Sequence, residues 1–212
     1  QGDVRVVAIV KPNHKWMGTL LHEFGHAIYD KYVNPKLPWL LREHAHIFAT
    51  EAIAMLFGRF ASMPAWIRDV IGIGAKETES ISGEAFNSLK LQQLVFSRWV
   101  QVMFRFEKAM FENPEQDLNE LWWSLVEKYQ NLKRPENWDN PDWAAKIHIA
   151  LYPAYYHNYI LGELLASQLF YYITEKVLKS DNPNDESLFG NSDAGEYLKH
   201  LFFSYGALYP WN

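Results

Sequence analysis

The stretch "LLHEFGHAIYD", residues 20–30, decides how the rest of the chain is read. Leu20, Leu21, Phe24 and Ile28 recur at helical spacing and give the segment one apolar face. On a helix, positions i and i+4 lie on one side, one turn apart. His22 and His26 can therefore aim two imidazoles at a single point about 2 Å from each nitrogen, the distance a zinc ion takes. Glu23 follows His22 directly, so its carboxylate reaches the flank of such an ion without binding it. There it can take a proton from water whose pKa the ion lowers to about 7. Gly25 leaves space beside the site. The competing reading is a helix with two satisfied core histidines. It loses ground because polar groups without partners are costly on an apolar helix.

Zinc at a catalytic site wants a third protein ligand and an open position. Tyr32 stands where a third histidine at metzincin spacing would fall. The next apolar helix, "HIFATEAIAMLFG" at residues 46–58, surrounds Glu51 with Ala49, Ala52, Ile53 and Leu56. A carboxylate in such company is expensive unless it is paired or bound to a cation. Glu51 is thus the expected third ligand of a His2Glu site holding one zinc per chain. His44 and His46 are rival ligands, nearer the start of that helix and beside Arg42 and Glu43.

The remaining sequence frames a mostly helical domain. Of 212 residues, 49% are hydrophobic and 16% aromatic, enough for a sizeable core. Cysteine is absent, which excludes thiol catalysis, disulfides and thiolate metal sites. A net charge of −5 with interspersed signs gives no basic footprint for nucleic acid. No apolar run reaches the roughly 18 residues of a membrane span. Only "VRVVAIV", residues 4–10, reads as strand, closed by Lys11-Pro12-Asn13. Helices are expected from about Lys15 to Tyr32, Trp39 to Phe60 and Pro64 to Val70. One or two more fall in 76–112, where Leu91, Leu94, Val95, Val102 and Phe106 keep helical spacing. Asp117 should cap "LNELWWSLVEKYQ", and further helices are expected near 153–179 and 193–205. Gln1, the immediate strand and the aromatic close at Trp211 suggest a piece of a longer protein. The expected strand needs a partner, from an upstream segment or from a second copy.

At this point the residues carry a family resemblance. The histidine pair followed by a helical glutamate looks like the gluzincin peptidases. The context resembles the angiotensin-converting-enzyme (peptidyl-dipeptidase A) family and its bacterial relatives. "DVRV" (3–6) resembles that family's Asp-aromatic-Arg strand, and "LPWLLREHAHIFATEAIA" (37–54) its Leu-Pro…Leu-Arg…Glu-Ala-Ile segment. "WWSLVEKYQ" (122–130) and "AAKIHI" (144–149) resemble its Trp-Trp…Lys-Tyr-Gln and Ala-Lys-Phe-His-Ile stretches. "DAGEYLKHLFFSYGALYPWN" (193–212) resembles its Ala-Gly…Pro-Trp close. The matches are collinear over nearly the whole chain. Thimet-type oligopeptidases and Taq-type carboxypeptidases share the zinc layout, and "YYHNYILGELLASQ" (155–168) is similar to theirs too.

The resemblance implies a mainly α fold: a zincin-type catalytic half with a zinc helix, a second ligand helix and one short edge strand. It implies one catalytic domain over 1–212 and hydrolysis of short peptides with release of C-terminal dipeptides. Oligoendopeptidase or metallocarboxypeptidase action is the alternative within the clan; a zinc-bearing scaffold without turnover is the alternative outside it. His148 is implied as one oxyanion donor. Tyr159 is implied as the other, with Tyr156 its neighbour, if one residue is inserted in "YYHNYI". Without the insertion Asn158 falls at the donor position and Tyr155 takes the neighbouring role. Lys146 matches the lysine that binds the substrate's C-terminal carboxylate. Three departures stand out. Met55 replaces an aspartate that supports a zinc histidine, leaving Asp30 or a backbone carbonyl to hold the tautomer. Asn158 replaces the chloride-binding arginine. The family's substrate-pairing strand and helical lid would lie upstream of residue 1.

Overall fold

The computed structural model describes residues 3–210, so the expectations resting on Gln1 and Trp211 lie outside the described residues. Eight α-helices are found among them: α1 (His14–Tyr32), α2 (Ile47–Phe60), α3 (Pro64–Trp66), α4 (Ala75–Glu112), α5 (Leu118–Gln130), α6 (Ile147–Ala150), α7 (His157–Tyr172) and α8 (Ser192–Leu201). The chain falls into two compact units. One holds the chain up to Asn87 together with everything from Leu161 on; the other is Ser88–Ile160.

In the first unit, Asn13 starts α1 by accepting the amide of Trp16 on its side chain. This helix thus begins one residue before its expected start. Trp39–Leu41 form only a 3-10 turn, and α2 begins at Ile47. The break arises at His46, whose backbone is extended and whose ring nitrogen accepts the Phe48 amide as a cap. Nearly every side of α2 is buried, which is why its sequence is apolar all round. One core gathers Tyr29, Val33, Ile53, Leu169, Ile173 and Phe203; another gathers Leu56, Phe60, Met63, Trp66, Ala166 and Phe170.

Two glycines set the spacing of these helices. A Cβ at Gly25 would lie 2.6 Å from the Cα of Ala54, so α1 meets α2 backbone to backbone there. Gly25 therefore does not open space beside the site; it removes the space between two helices. At Gly162 a Cβ would lie 2.9 Å from the Cβ of Glu51, which brings α7 onto α2 at that residue.

The second unit contains α4 from Ser88 on, α5, α6 and the first turn of α7. Val102, Met103 and Phe106 pack on Trp122 and Val126, with Trp99, Trp143 and Tyr156 around them. Asp117 caps α5 as expected, accepting the Glu120 amide at 2.9 Å. The 76–112 region is one helix. Of its spaced apolar residues Val102 and Phe106 are buried, whereas Leu91, Leu94 and Val95 are exposed. The long helix expected from 153 begins only at His157, because Ala154 adopts a left-handed φ of 54° after Pro153.

The expected edge strand over 4–10 is not a strand. No described segment pairs with it, and Val7 and Ile9 are 98% and 78% exposed. A β-branched composition favours extended backbone, but a strand exists only with a hydrogen-bonding neighbour. No helix among the described residues is long and apolar enough to cross a membrane.

Candidate functional site

α1 presents His22 and His26 one turn apart, with ring centroids 5.0 Å apart and planes at 86°. α2 presents Glu51 to both: its Oε2 is 3.6 Å from His22 Nε2 and 3.9 Å from His26 Nε2. One ligand atom from each residue lies within 4.8 Å of the others. These separations are too long for hydrogen bonds. They suit an ion in the middle, since ligands 2.0–2.2 Å from a tetrahedral zinc stand about 3.4 Å apart.

The electrostatics agree with the geometry. Burial lowers the pKa of His22. Burial, followed by the charge of His22, lowers that of His26 to about 4. Both rings are therefore neutral at neutral pH, the form that offers a lone pair to a metal. Glu51 is only 2% exposed, and a carboxylate in that position favours a cation beside two neutral imidazoles. Two neutral nitrogens and one carboxylate form a donor set suited to zinc. Glu23 lies on α1 next to His22, half-buried, and its negative charge is felt at His26.

The rival histidines are engaged elsewhere. His44 Nε2 is 2.9 Å from Asp30 Oδ1, and His46 caps α2. Asp30 thereby pairs with His44, and the expected bond from Asp30 to His22 or His26 is not the one formed. The group at His26 is instead Thr50, whose Oγ1 is 2.7 Å from Nδ1. Sequence reasoning missed it, because a threonine inside an apolar helix carries no signal until the facing helix is known.

The second unit assembles the other expected residues. His148 Nε2, on α6, is 3.0 Å from Tyr159 Oη, on the first turn of α7. Tyr156 sets its ring edge-on to His148 at 4.9 Å and accepts a 2.7 Å hydrogen bond from Trp99 Nε1. Tyr155 lies 5.9 Å from the same imidazole, centroid to centroid. Lys146 places its ammonium over Trp99 and Trp122, at 5.6 and 5.8 Å. Asn158 is buried and donates back to the Tyr155 carbonyl, so its amide nitrogen turns inward. Desolvation lowers the pKa of His148, partly offset by the charge of Glu107. Glu107 also accepts the amide of Ala154 at 2.5 Å and so anchors the turn between His148 and Tyr159. Neither Trp99 nor Glu107 was legible as a contributor, since each lies about 50 residues away in sequence from what it supports.

Compared with known proteins, residues 1–212 match the sequence model of the family described as angiotensin-converting enzyme. No curated protein matches the chain.

Proposed function

The chain belongs to the angiotensin-converting enzyme family, and on that premise we propose that it releases dipeptides from the C-termini of short peptides. It is a zinc metallopeptidase, and peptides are its substrates. The dipeptide reading rests on Lys146; the observation that carries the zinc chemistry is the convergence of His22, His26 and Glu51 on one point. These three are proposed to hold the zinc ion. When bound, that ion supplies Lewis-acid activation of water and of the scissile carbonyl.

The chain's own residues supply the rest. Glu23 takes the proton of the attacking water and passes it to the leaving amine nitrogen as the C–N bond breaks. His148 and Tyr159 donate to the carbonyl oxygen as it gains negative charge. Their mutual hydrogen bond supports the pairing, and the inward turn of Asn158 favours Tyr159 over Asn158 as donor. Tyr156 and Tyr155 flank His148 and shape the substrate's surroundings. Lys146 takes the substrate's terminal carboxylate; the ring faces beneath its ammonium keep the charge in place without neutralising it.

The match along the whole length supports reading the 212 residues as one catalytic domain. The exposed β-branched residues of 4–10 support a partner strand from a further segment or a second copy. Mass spectrometry of products from free-ended and C-terminally amidated peptides tests the specificity. Dipeptides from free C-termini, and little cleavage of amidated peptides, are expected. Single residues would indicate a carboxypeptidase, and internal fragments an oligoendopeptidase.

A further inference from the structure

We propose that Thr50 is the positioning residue for His26: its hydroxyl accepts the Nδ1 proton and holds the ring so that Nε2 faces His22 and Glu51. The inference rests on the reading of these three residues as metal ligands. A neutral imidazole that binds a metal through Nε2 must carry its proton on Nδ1, and a partly buried N–H needs an acceptor. Thr50 Oγ1 stands at 2.7 Å from that nitrogen.

The placement follows from the two helices. Thr50 directly precedes Glu51 on α2, and successive helical residues diverge by about 100°. α2 thus sends a carboxylate to the Nε2 edge of His26 and a hydroxyl to its Nδ1 edge, holding the ring from both sides. So short a side chain reaches only because the helices touch at Gly25, the residue before His26. Asp30, the acidic residue one turn beyond His26, is turned to His44 instead. A hydroxyl selects the tautomer and ring orientation but brings no negative charge, so it leaves the imidazole less basic than a carboxylate partner would.

The test uses the full chain without peptide. Zinc affinity is measured by competition with a chromophoric chelator, and the His26 tautomer by nitrogen NMR of the metal-free protein. Thr50→Val keeps the shape and removes the acceptor; affinity should fall by about 10- to 100-fold. Thr50→Ser restores the hydroxyl and should return the affinity to near that of the unaltered chain. The spectrum of the unaltered protein should show the proton on Nδ1, a readout that does not depend on whether Thr50→Val folds. An Nε2-protonated His26, unchanged zinc affinity in Thr50→Val, or a loss in Thr50→Ser equal to that in Thr50→Val would overturn the proposal. His26→Ala separates the two levels. If it still binds zinc fully, the ligand reading fails; if it loses zinc while Thr50→Val does not, only the role of Thr50 fails.

Discussion

Glu23 and Glu51 are both carboxylates near the same two histidines, and their surroundings differ in the way the proposed roles of base and ligand require. Glu51 is 2% exposed, lies against the α7 backbone at Gly162 and faces both imidazoles. Glu23 sits on α1 itself, half-buried and next to His22. Glu23→Gln should therefore keep zinc and lose turnover by ~10²–10⁴, read as kcat with metal content measured in parallel. Near-full hydrolysis would remove it from the mechanism. Tyr159→Phe deletes one hydroxyl and little volume, so kcat should drop about 10²-fold with KM nearly unchanged. Asn158→Ala should disturb stability more than kcat, because its amide is buried and bonded to its own helix start. The reverse ranking would move the donor role off Tyr159.

Pairs of helices, more than single residues, decide whether the histidines meet Glu51. Gly25→Ala forces a Cβ against the α2 backbone, and Gly162→Ala forces one against Glu51. Each should lower stability by about 1–3 kcal/mol in denaturant titrations, and each should weaken zinc as the helices separate. Acid acts on the same packing. His26 has a folded pKa near 4 against an ordinary 6.5, so the unfolded chain binds its proton first. Metal-free protein should be fully stable above pH 6.5 and lose stability as pH falls from there to about 4. His22 and His148 shift in the same direction, and thermal melts across that range check it. What could be read at this scale depended on local signals. The i, i+4 histidines, the carboxylate inside an apolar helix and the Asp117 cap are all local, and each was legible. The break at His46 and the late start of α7 depend on a ring nitrogen acting as a cap and on a left-handed alanine. Periodicity does not register either one. Thr50 was invisible because its partner lies 24 residues away on another helix.

Across the whole molecule, the segment 4–10 shows where composition alone misleads. Its residues favour a strand, yet no neighbour is present among the described residues, and its apolar side chains face solvent. If this stretch pairs with its copy in a second chain, sedimentation of the 212-residue chain should show self-association. A strictly monomeric chain with full peptidase activity would show that this stretch needs no partner. The family match over all 212 residues makes the chain a zinc peptidase, and His22, His26 and Glu51 are the proposed ligands of the ion. Elemental analysis of protein purified without chelator tests that assignment, comparing the unaltered chain with Glu51→Gln, His44→Ala and His46→Ala. Close to one zinc per chain is expected in the unaltered protein and in both histidine variants, and a large loss in Glu51→Gln. Retention of zinc in Glu51→Gln together with its loss in His44→Ala would overturn the ligand assignment.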